Sequence, residues 1–173
     1  SKVDEVLKDV RRISEESERR IRELNDRSRK ISKESEDRIR ELLRRLEEIV
    51  ERLKRTNDRD AVRKVVEVLR RVLEEVRRSV DEVRRLLEES LKEIERSVRE
   101  VEKRAKTVLE EVKDDEKAEE LRKEVERLIR ENEELVERHR KTVEELRRRN
   151  EELVKRLEDT VRKLEKELKE EAD

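Results

Sequence analysis

Apolar residues recur along this chain in a pattern that repeats every 18 residues. The clearest example is ISEESERRIRELNDRSRK from Ile13, followed directly by ISKESEDRIRELLRRLEE from Ile31, with 11 of 18 positions identical. Eighteen residues make five turns of an α-helix at about 3.6 residues per turn. The apolar stripe therefore stays on one side of a straight helix, and the pattern predicts a long amphipathic helix with little supercoiling.

The rest of the chain carries the same five-turn phrase. One series begins at Val62 and restarts at Val80 and Val98, and another begins at Leu121 and restarts at His139. The stripe is interrupted twice, at residues 56–60 and 113–117. Asp58 follows Ser1 by 57 residues, and Asp115 follows Asp58 by 57. This spacing predicts three equal helices, at about 2–56, 59–113 and 116–172.

The two interruptions also contain residues typical of helix ends. Ser1 with Asp4 is predicted to cap helix 1, and Asp58 to cap helix 2. Asn57 tolerates the left-handed conformation that often follows the end of a helix. Turns this short make neighbouring helices antiparallel. The predicted fold is all-α, a straight, nearly untwisted, antiparallel (up-down-up) three-helix bundle that forms a single domain over residues 1–173.

Polar residues occupy several positions of the apolar stripe. Folding the helices up, down and up predicts three layers of them. The first layer contains Ser17 opposite Asn132 with Ser97 alongside, the second Ser90 and His139 beside Asn25 with Ser28 one layer on, and the third Ser35 opposite Asn150 with Ser79 alongside. Ser14 and Ser32 are assigned to a flanking column with Asn25.

Layers of this kind favour a structural role. A buried hydroxyl, amide or imidazole without a partner costs roughly 1–3 kcal/mol, so polar residues at one level are expected to satisfy one another. A shifted register would place each of them against Leu or Val. The layers are therefore predicted to set helix register and pairing.

His139 admits sharper alternatives. With Ser28 or Ser90 it resembles a base and nucleophile pair, but a hydrolase also needs an orienting acid, an oxyanion hole and a cleft, and the sequence indicates none. A metal site needs further inward ligands, whereas the acidic residues are predicted to lie on the outward faces. We therefore expect no enzyme, no metal and no cofactor. A buried His139 would make the bundle sensitive to pH.

Composition and charge narrow the possible partners. The chain has no Gly, Pro, Cys, Met, Trp, Tyr or Phe, and 60% of its residues are charged. A disordered segment has no reason to keep such strict helical registers. The 51 basic and 52 acidic residues almost cancel, which argues against nucleic acid and anionic membranes as partners. No segment reads as a signal peptide or membrane span, so a soluble chain is expected.

Over its whole length the chain resembles computationally designed, parametrically generated helical bundles with buried hydrogen-bond networks. The resemblance rests on the five-turn phrases, the Ser and Asn layers and the missing Gly, Pro and aromatic residues. It implies a scaffold with no natural substrate, cytoplasmic on recombinant expression. It also implies an alternative, an interaction module that is a subunit of a larger helical assembly or a switch with a displaceable helix. We expect a monomer that requires no partner, with a helical partner or self-association as the alternative.

Overall fold

A computed structural model describes residues 2–172 and shows a three-helix bundle. Helix α1 spans Lys2–Lys54, α2 spans Arg59–Glu111 and α3 spans Ala118–Ala172. Each end that lies at a turn, apart from the start of α2, is two residues inside the predicted limit. Strong helix formers dominate all three segments, and an apolar stripe gives each helix a face to bury. The predicted cap by Ser1 lies outside the described residues.

The turn between α1 and α2 forms without any left-handed residue. The backbone N–H and the side-chain hydroxyl of Thr56 both donate to the carbonyl of Leu53, each at 3.0 Å. These bonds tighten the last turn of α1 and satisfy one of its final carbonyl groups. No residue in the described chain has a positive φ angle, so Asn57 does not use the left-handed conformation that it tolerates.

The two following helices begin at acidic side chains. Asp58 Oδ1 accepts hydrogen bonds from the backbone N–H groups of Asp60, at 3.0 Å, and Ala61, at 3.2 Å. Asp115 Oδ1 accepts from the N–H of Lys117 at 2.9 Å, just before α3. A carboxylate in this place satisfies free N–H groups and meets the positive end of the helix dipole.

The chain forms two compact units, each built from one stretch of every helix. Unit 1 contains residues up to 28 together with 87–144, and unit 2 contains residues 29–86 together with those from 145 onward. In unit 1, Arg20 meets Glu93 whereas Ser28 meets Ser90. The α2 number falls as the α1 number rises, so these helices are antiparallel.

Unit 1 has two apolar clusters. One contains Val3, Val6, Val10, Ala105, Val112, Leu121, Val125 and Leu128, and the other contains Ile21, Leu24, Ile94, Val98 and Val136. All three helices contribute to both. Burying one Leu or Ile side chain stabilises the fold by roughly 1.5–3 kcal/mol. These contacts hold the helices at the spacing that the polar side chains of the unit require.

Unit 2 has one larger apolar cluster. Its buried members are Ile39, Leu46, Val50, Val62, Val66, Leu69, Val76, Val80, Leu153, Leu157, Val161, Leu164 and Leu168. Ile49 was predicted to point inward, but it is 40% exposed, whereas its neighbour Val50 is 1% exposed. The predicted inward residues Ile39 and Leu46 are buried, so the difference is confined to this turn of α1. No helix among the described residues has the length and apolarity needed to cross a membrane.

Candidate functional site

The buried polar residues are the main candidates for a specific role. In unit 1, Asn132 Nδ2 on α3 donates to Ser14 Oγ on α1 at 2.7 Å and to the carbonyl of Leu128, one turn earlier on its own helix, at 3.0 Å. Asn132 is 0% exposed and Ser14 is 1% exposed. The amide is therefore held by its own helix and by α1 at once.

Unit 2 repeats this arrangement 18 residues later. Asn150 Nδ2 donates to Ser32 Oγ at 2.9 Å and to the carbonyl of Leu146 at 3.1 Å. In both pairs the partners are 118 residues apart in sequence. Each unit thus contains one Ser–Asn pair, at corresponding positions of the repeat.

These contacts correct the predicted partners. The sequence placed Ser17 and Ser35 opposite the asparagines, but Ser14 and Ser32 accept the hydrogen bonds instead. Ser17 is buried, and its hydroxyl has no hydrogen-bond partner among the described residues. The buried stripe of α1 is wide enough to contain both serine columns, because Ser14 and Ser32 are buried together with Ser17 and Ser35. The adjacent Ile13 and Ile31 are half-buried.

The other predicted members of these two layers take no part in the Ser–Asn hydrogen bonds. Ser35 is buried on α1, whereas Ser79 and Ser97 are half-buried on α2. The amide oxygen of each asparagine, Oδ1 of Asn132 and of Asn150, is buried and accepts no hydrogen bond from the described residues. The two layers are therefore incompletely satisfied, which costs stability.

The His139 layer in unit 1 joins residues of all three helices. His139 Nδ1 lies 3.0 Å from Asn25 Oδ1, and Nε2 lies 3.4 Å from Ser90 Oγ. Ser28 Oγ lies 3.4 Å from Ser90 Oγ and donates to the carbonyl of Leu24 at 2.8 Å. The structure thus brings together Asn25, Ser28, Ser90 and His139.

The hydrogen bonds define the tautomer of His139. An amide oxygen accepts only, so Nδ1 carries the proton and Nε2 accepts from Ser90. The ring is 2% exposed, and burial lowers the pKa of His139 because a charged imidazolium loses its hydration. The side chains that contact the ring nitrogens are neutral.

The order Ser90, His139, Asn25 has the outline of a nucleophile, a base and an orienting group, but its chemistry is unfavourable. Asn25 carries no charge that would stabilise an imidazolium. Ser90 lies within α2, where the helix uses the backbone N–H groups that an oxyanion hole would need. Among the described residues, no group of three or more His, Cys, Asp or Glu is placed to hold a metal ion. The arrangement favours a hydrogen-bond network.

Sequence reasoning missed one buried charge. Glu36 in unit 2 is 3% exposed, and its Oε2 lies 3.2 Å from Nη2 of Arg149. Its other oxygen, Oε1, has no hydrogen-bond partner in the described part of the chain. The prediction that acidic residues occupy the outward faces is therefore wrong for Glu36. Its position one turn after Ser32, with Arg149 beside Asn150, was the available signal.

A second carboxyl group has an altered environment in unit 1. Glu102 on α2 has a raised pKa because burial disfavours its charged form and because Glu133 on α3 shares a hydrogen bond with it and repels its negative charge. Elsewhere, pairs between helices join opposite charges, as between Arg20 and Glu93 at 2.6 Å. Glu102 and Glu133 are an exception to that pattern.

The chain was compared with protein families, curated proteins and solved structures. No protein-family model and no curated protein matches the chain. A solved structure described as a "computationally designed three helix bundle" is similar over 99% of this chain and 84% of that chain, with 21% sequence identity and a TM-score of 0.49.

Proposed function

We propose that this chain is a designed structural scaffold in which buried Ser, Asn and His side chains set the register and pairing of the helices. A designed origin is supported by the absence of seven residue types, by the five-turn phrases and by a composition that is 60% charged. The role of the polar side chains is supported by their hydrogen bonds between helices.

The two Ser–Asn pairs carry this proposal. Ser14–Asn132 and Ser32–Asn150 share the same donors, acceptors and sequence spacing. One repeat further on, the corresponding positions are Val50 and Leu168, and each of these is 1% exposed. The same two core positions, one on α1 and one on α3, are therefore polar in two repeats and apolar in the third.

Comparing the Ser–Asn pairs with the Val50–Leu168 positions separates the effect of a polar pair on stability from its effect on helix pairing. An apolar pair in this position has no desolvation cost, whereas each Ser–Asn pair leaves one amide oxygen unsatisfied. A polar pair that is retained despite this cost is best explained by the arrangements that it excludes, because a displaced helix would leave the asparagine against an apolar side chain.

The test converts the unit 2 pair into its apolar version with Ser32→Val and Asn150→Leu. We expect the melting temperature to stay equal or rise, while NMR spectra and size-exclusion profiles show additional forms. The control exchanges apolar volume at the third position, with Val50→Leu and Leu168→Val, and should give one form. A loss of several kcal/mol in the free energy of unfolding, or a single form as in the wild type, would refute the proposed role.

The alternative function, an interaction module, is favoured by a different observation. Ile49, Val68 and Leu86 in unit 2 are 40%, 49% and 36% exposed. Val68 and Leu86 are one repeat apart, and the next corresponding residue is Arg104, which lines a groove with Ile13 in unit 1. Unit 2 thus presents apolar side chains where the repeat in unit 1 has a charge, and a partner helix that packed along this face of α2 would bury Val68 and Leu86.

Light scattering across a range of concentrations tests this alternative. A monomer has a mass of 21.3 kDa at every concentration, whereas association through this surface raises the mass as concentration rises. Replacing Val68 and Leu86 by Arg, as at position 104, should then restore the monomer mass. A mass that stays at the monomer value in the wild type argues against self-association and in favour of the scaffold.

A further inference from the structure

Two exposed apolar residues of unit 2 correspond to residues that line a groove between α1 and α2 in unit 1. That groove has Ile13 of α1 on one side and Arg104 of α2 on the other. Because the helices are antiparallel, two repeats forward on α1 and two repeats back on α2 lead to Ile49 and Val68. Both are exposed. Unit 2 therefore has an apolar pair where the groove of unit 1 has the charged side chain of Arg104.

The charged residues beside this apolar pair are all positive. On a helix, the residues four positions before and three positions after a given residue lie on the same flank of it. For Ile49 and Val68 these neighbours are Arg45, Arg52, Lys64 and Arg71. All four are exposed. We call Ile49, Val68 and these four cations the basic groove.

The positive charge belongs to unit 2 and is not a general property of the repeat. In unit 1 the residues equivalent to the four cations are Asp9, Glu16, Glu100 and Thr107. Three of these four are acidic. The same place in the repeat is thus apolar with positive flanks in unit 2, and carries Arg104 with acidic flanks in unit 1.

Three of the four cations are available to a partner. Arg45 pairs with Glu41 on its own helix. Arg52, Lys64 and Arg71 form no ion pair within the part of the chain that the structure describes. An acidic partner would therefore contact them without breaking an existing pair.

The two other helix–helix edges of unit 2 are bridged by pairs of opposite charge. They are Glu36–Arg149 and Lys54–Glu167 between α1 and α3, and Arg70–Glu165 and Arg77–Glu158 between α2 and α3. Charges beside an apolar seam select the helix that packs there. In the basic groove both flanks are positive, so the complementary charges have to come from a third helix.

We infer that the basic groove of unit 2 binds a separate amphipathic helix whose apolar stripe is flanked on both sides by Glu or Asp. The stripe would cover Ile49 and Val68, and the acidic flanks would face the four cations. The inference rests on the interaction-module alternative proposed above and names the chemistry of its partner. A second copy in a symmetric contact would bring the same cations of both chains together, which favours a different, acidic partner.

The probe is a synthetic amphipathic peptide of about 21 residues, with Leu at the heptad a and d positions and Glu at e and g. A matched peptide has Lys at e and g. Like charges at these positions keep each peptide from pairing with itself. Each peptide carries a dye, and its binding to the full chain at low ionic strength is followed by fluorescence anisotropy.

We expect the acidic peptide to bind roughly tenfold more tightly than the basic one, because the contacts with four cations change from attraction to repulsion. The ratio of the two affinities should shrink as salt is added. In methyl NMR spectra the acidic peptide should shift the signals of Ile49 and Val68. The signals of Leu69 and Leu157, which are fully buried, should stay in place.

Two variants test the apolar pair and the flanks separately. Val68→Arg introduces the residue found at position 104 and should weaken binding of the acidic peptide roughly tenfold. Lys64→Glu combined with Arg71→Glu should remove the preference for the acidic peptide. The control is Arg148→Glu with Lys155→Glu, which makes the same change of charge at the same spacing on exposed positions of α3. It should leave the preference as in the wild type.

Several outcomes would overturn the inference. The first is equal affinity for the two peptides, and the second is an affinity for the acidic peptide that Val68→Arg does not change. Shifts of the Leu69 and Leu157 signals on binding would show that the peptide displaces a helix of the bundle. A mass that rises with concentration in the wild type and not in Val68→Arg would identify a second copy as the occupant. Binding to anionic lipid vesicles without binding to the acidic peptide would identify a membrane surface.

These outcomes can be told apart from failure of the functions proposed above. Light scattering tests self-association without any peptide, and a constant monomer mass leaves the peptide result standing. The Ser32→Val, Asn150→Leu test changes a buried pair between α1 and α3 and leaves the basic groove unaltered. Failure of the peptide experiment therefore overturns the acidic partner and does not bear on the role of the polar pairs.

Discussion

His139 donates its Nδ1 proton to Asn25, a neutral acceptor 3.0 Å away. Burial lowers the pKa of His139, so the protonated ring is less stable in the folded chain than in the unfolded one. The contribution of a base with a lowered pKa is complete above its unfolded value of about 6.5 and is lost as the pH falls below it. The free energy of unfolding should therefore be smaller at pH 5 than at pH 7.5. Chemical denaturation at both values measures this, and His139→Asn should reduce the difference.

The charge of the Asn25 position should control that titration. Asn25→Asp places a carboxylate against Nδ1 with almost no change in shape, and a carboxylate stabilises an imidazolium. We expect NMR to show a higher pKa for His139 in this variant than in the wild type. A pKa that does not move would mean that the ring does not face position 25 in solution.

Ser14 and Ser17 should respond in opposite ways to the same substitution. Ser14→Ala removes the acceptor of an Asn132 N–H and should cost about 1–3 kcal/mol in the free energy of unfolding. Ser17→Ala removes a buried hydroxyl that has no partner in the described chain, so its cost should lie near zero or stability should rise slightly. Equal losses in urea denaturation would contradict the geometry of this layer.

Glu102 should destabilise the folded chain near neutral pH. Its raised pKa means that folding disfavours the charged carboxylate. The contribution of Glu102 to the free energy of unfolding therefore becomes less favourable as the pH rises through its pKa in the folded chain. Glu102→Gln removes the repulsion with Glu133 and should raise the free energy of unfolding at pH 7 by about 0.2–0.5 kcal/mol. The gain should shrink at pH 4, where the wild-type carboxyl group is largely protonated. Thermal denaturation of both chains at the two pH values provides the measurement.

The cap at the start of α2 should have a measurable effect on stability. Asp58→Ala removes the acceptor for two backbone N–H groups and should cost about 1 kcal/mol. Asp114→Ala, an exposed position in the other turn, serves as the control and should change stability by less than about 0.5 kcal/mol. Similar losses in both would show that general charge effects outweigh the cap.

Much of the fold followed from the periodicity of the sequence. The 18-residue phrase predicted three helices, and Asp58 was correctly expected to cap the second. The stripe could not decide which of two adjacent residues faces the centre, since neighbours on a helix differ by about 100°. That ambiguity explains why Val50 is buried in place of Ile49.

The same ambiguity limited the prediction of the polar contacts. Ser17 and Ser35 were chosen over Ser14 and Ser32 because they continued the predicted inward column. Both columns are buried, and the flanking one contains the acceptors of the asparagine hydrogen bonds. Glu36 was missed for another reason. Its partner Arg149 lies on α3, and the prediction assigned every acidic residue of α1 to the outward face without comparing the two helices.

The bond from each asparagine to a carbonyl of its own helix has a consequence for assembly. Asn132 bonds to Leu128, and Asn150 bonds to Leu146, through contacts that lie entirely within α3. This bond orients the asparagine amide without any contact to α1. The side chain therefore loses little further rotamer freedom when α1 packs against α3. Helix α3 thus fixes the direction of the asparagine N–H donor, and the serine of α1 accepts from a donor that is already oriented.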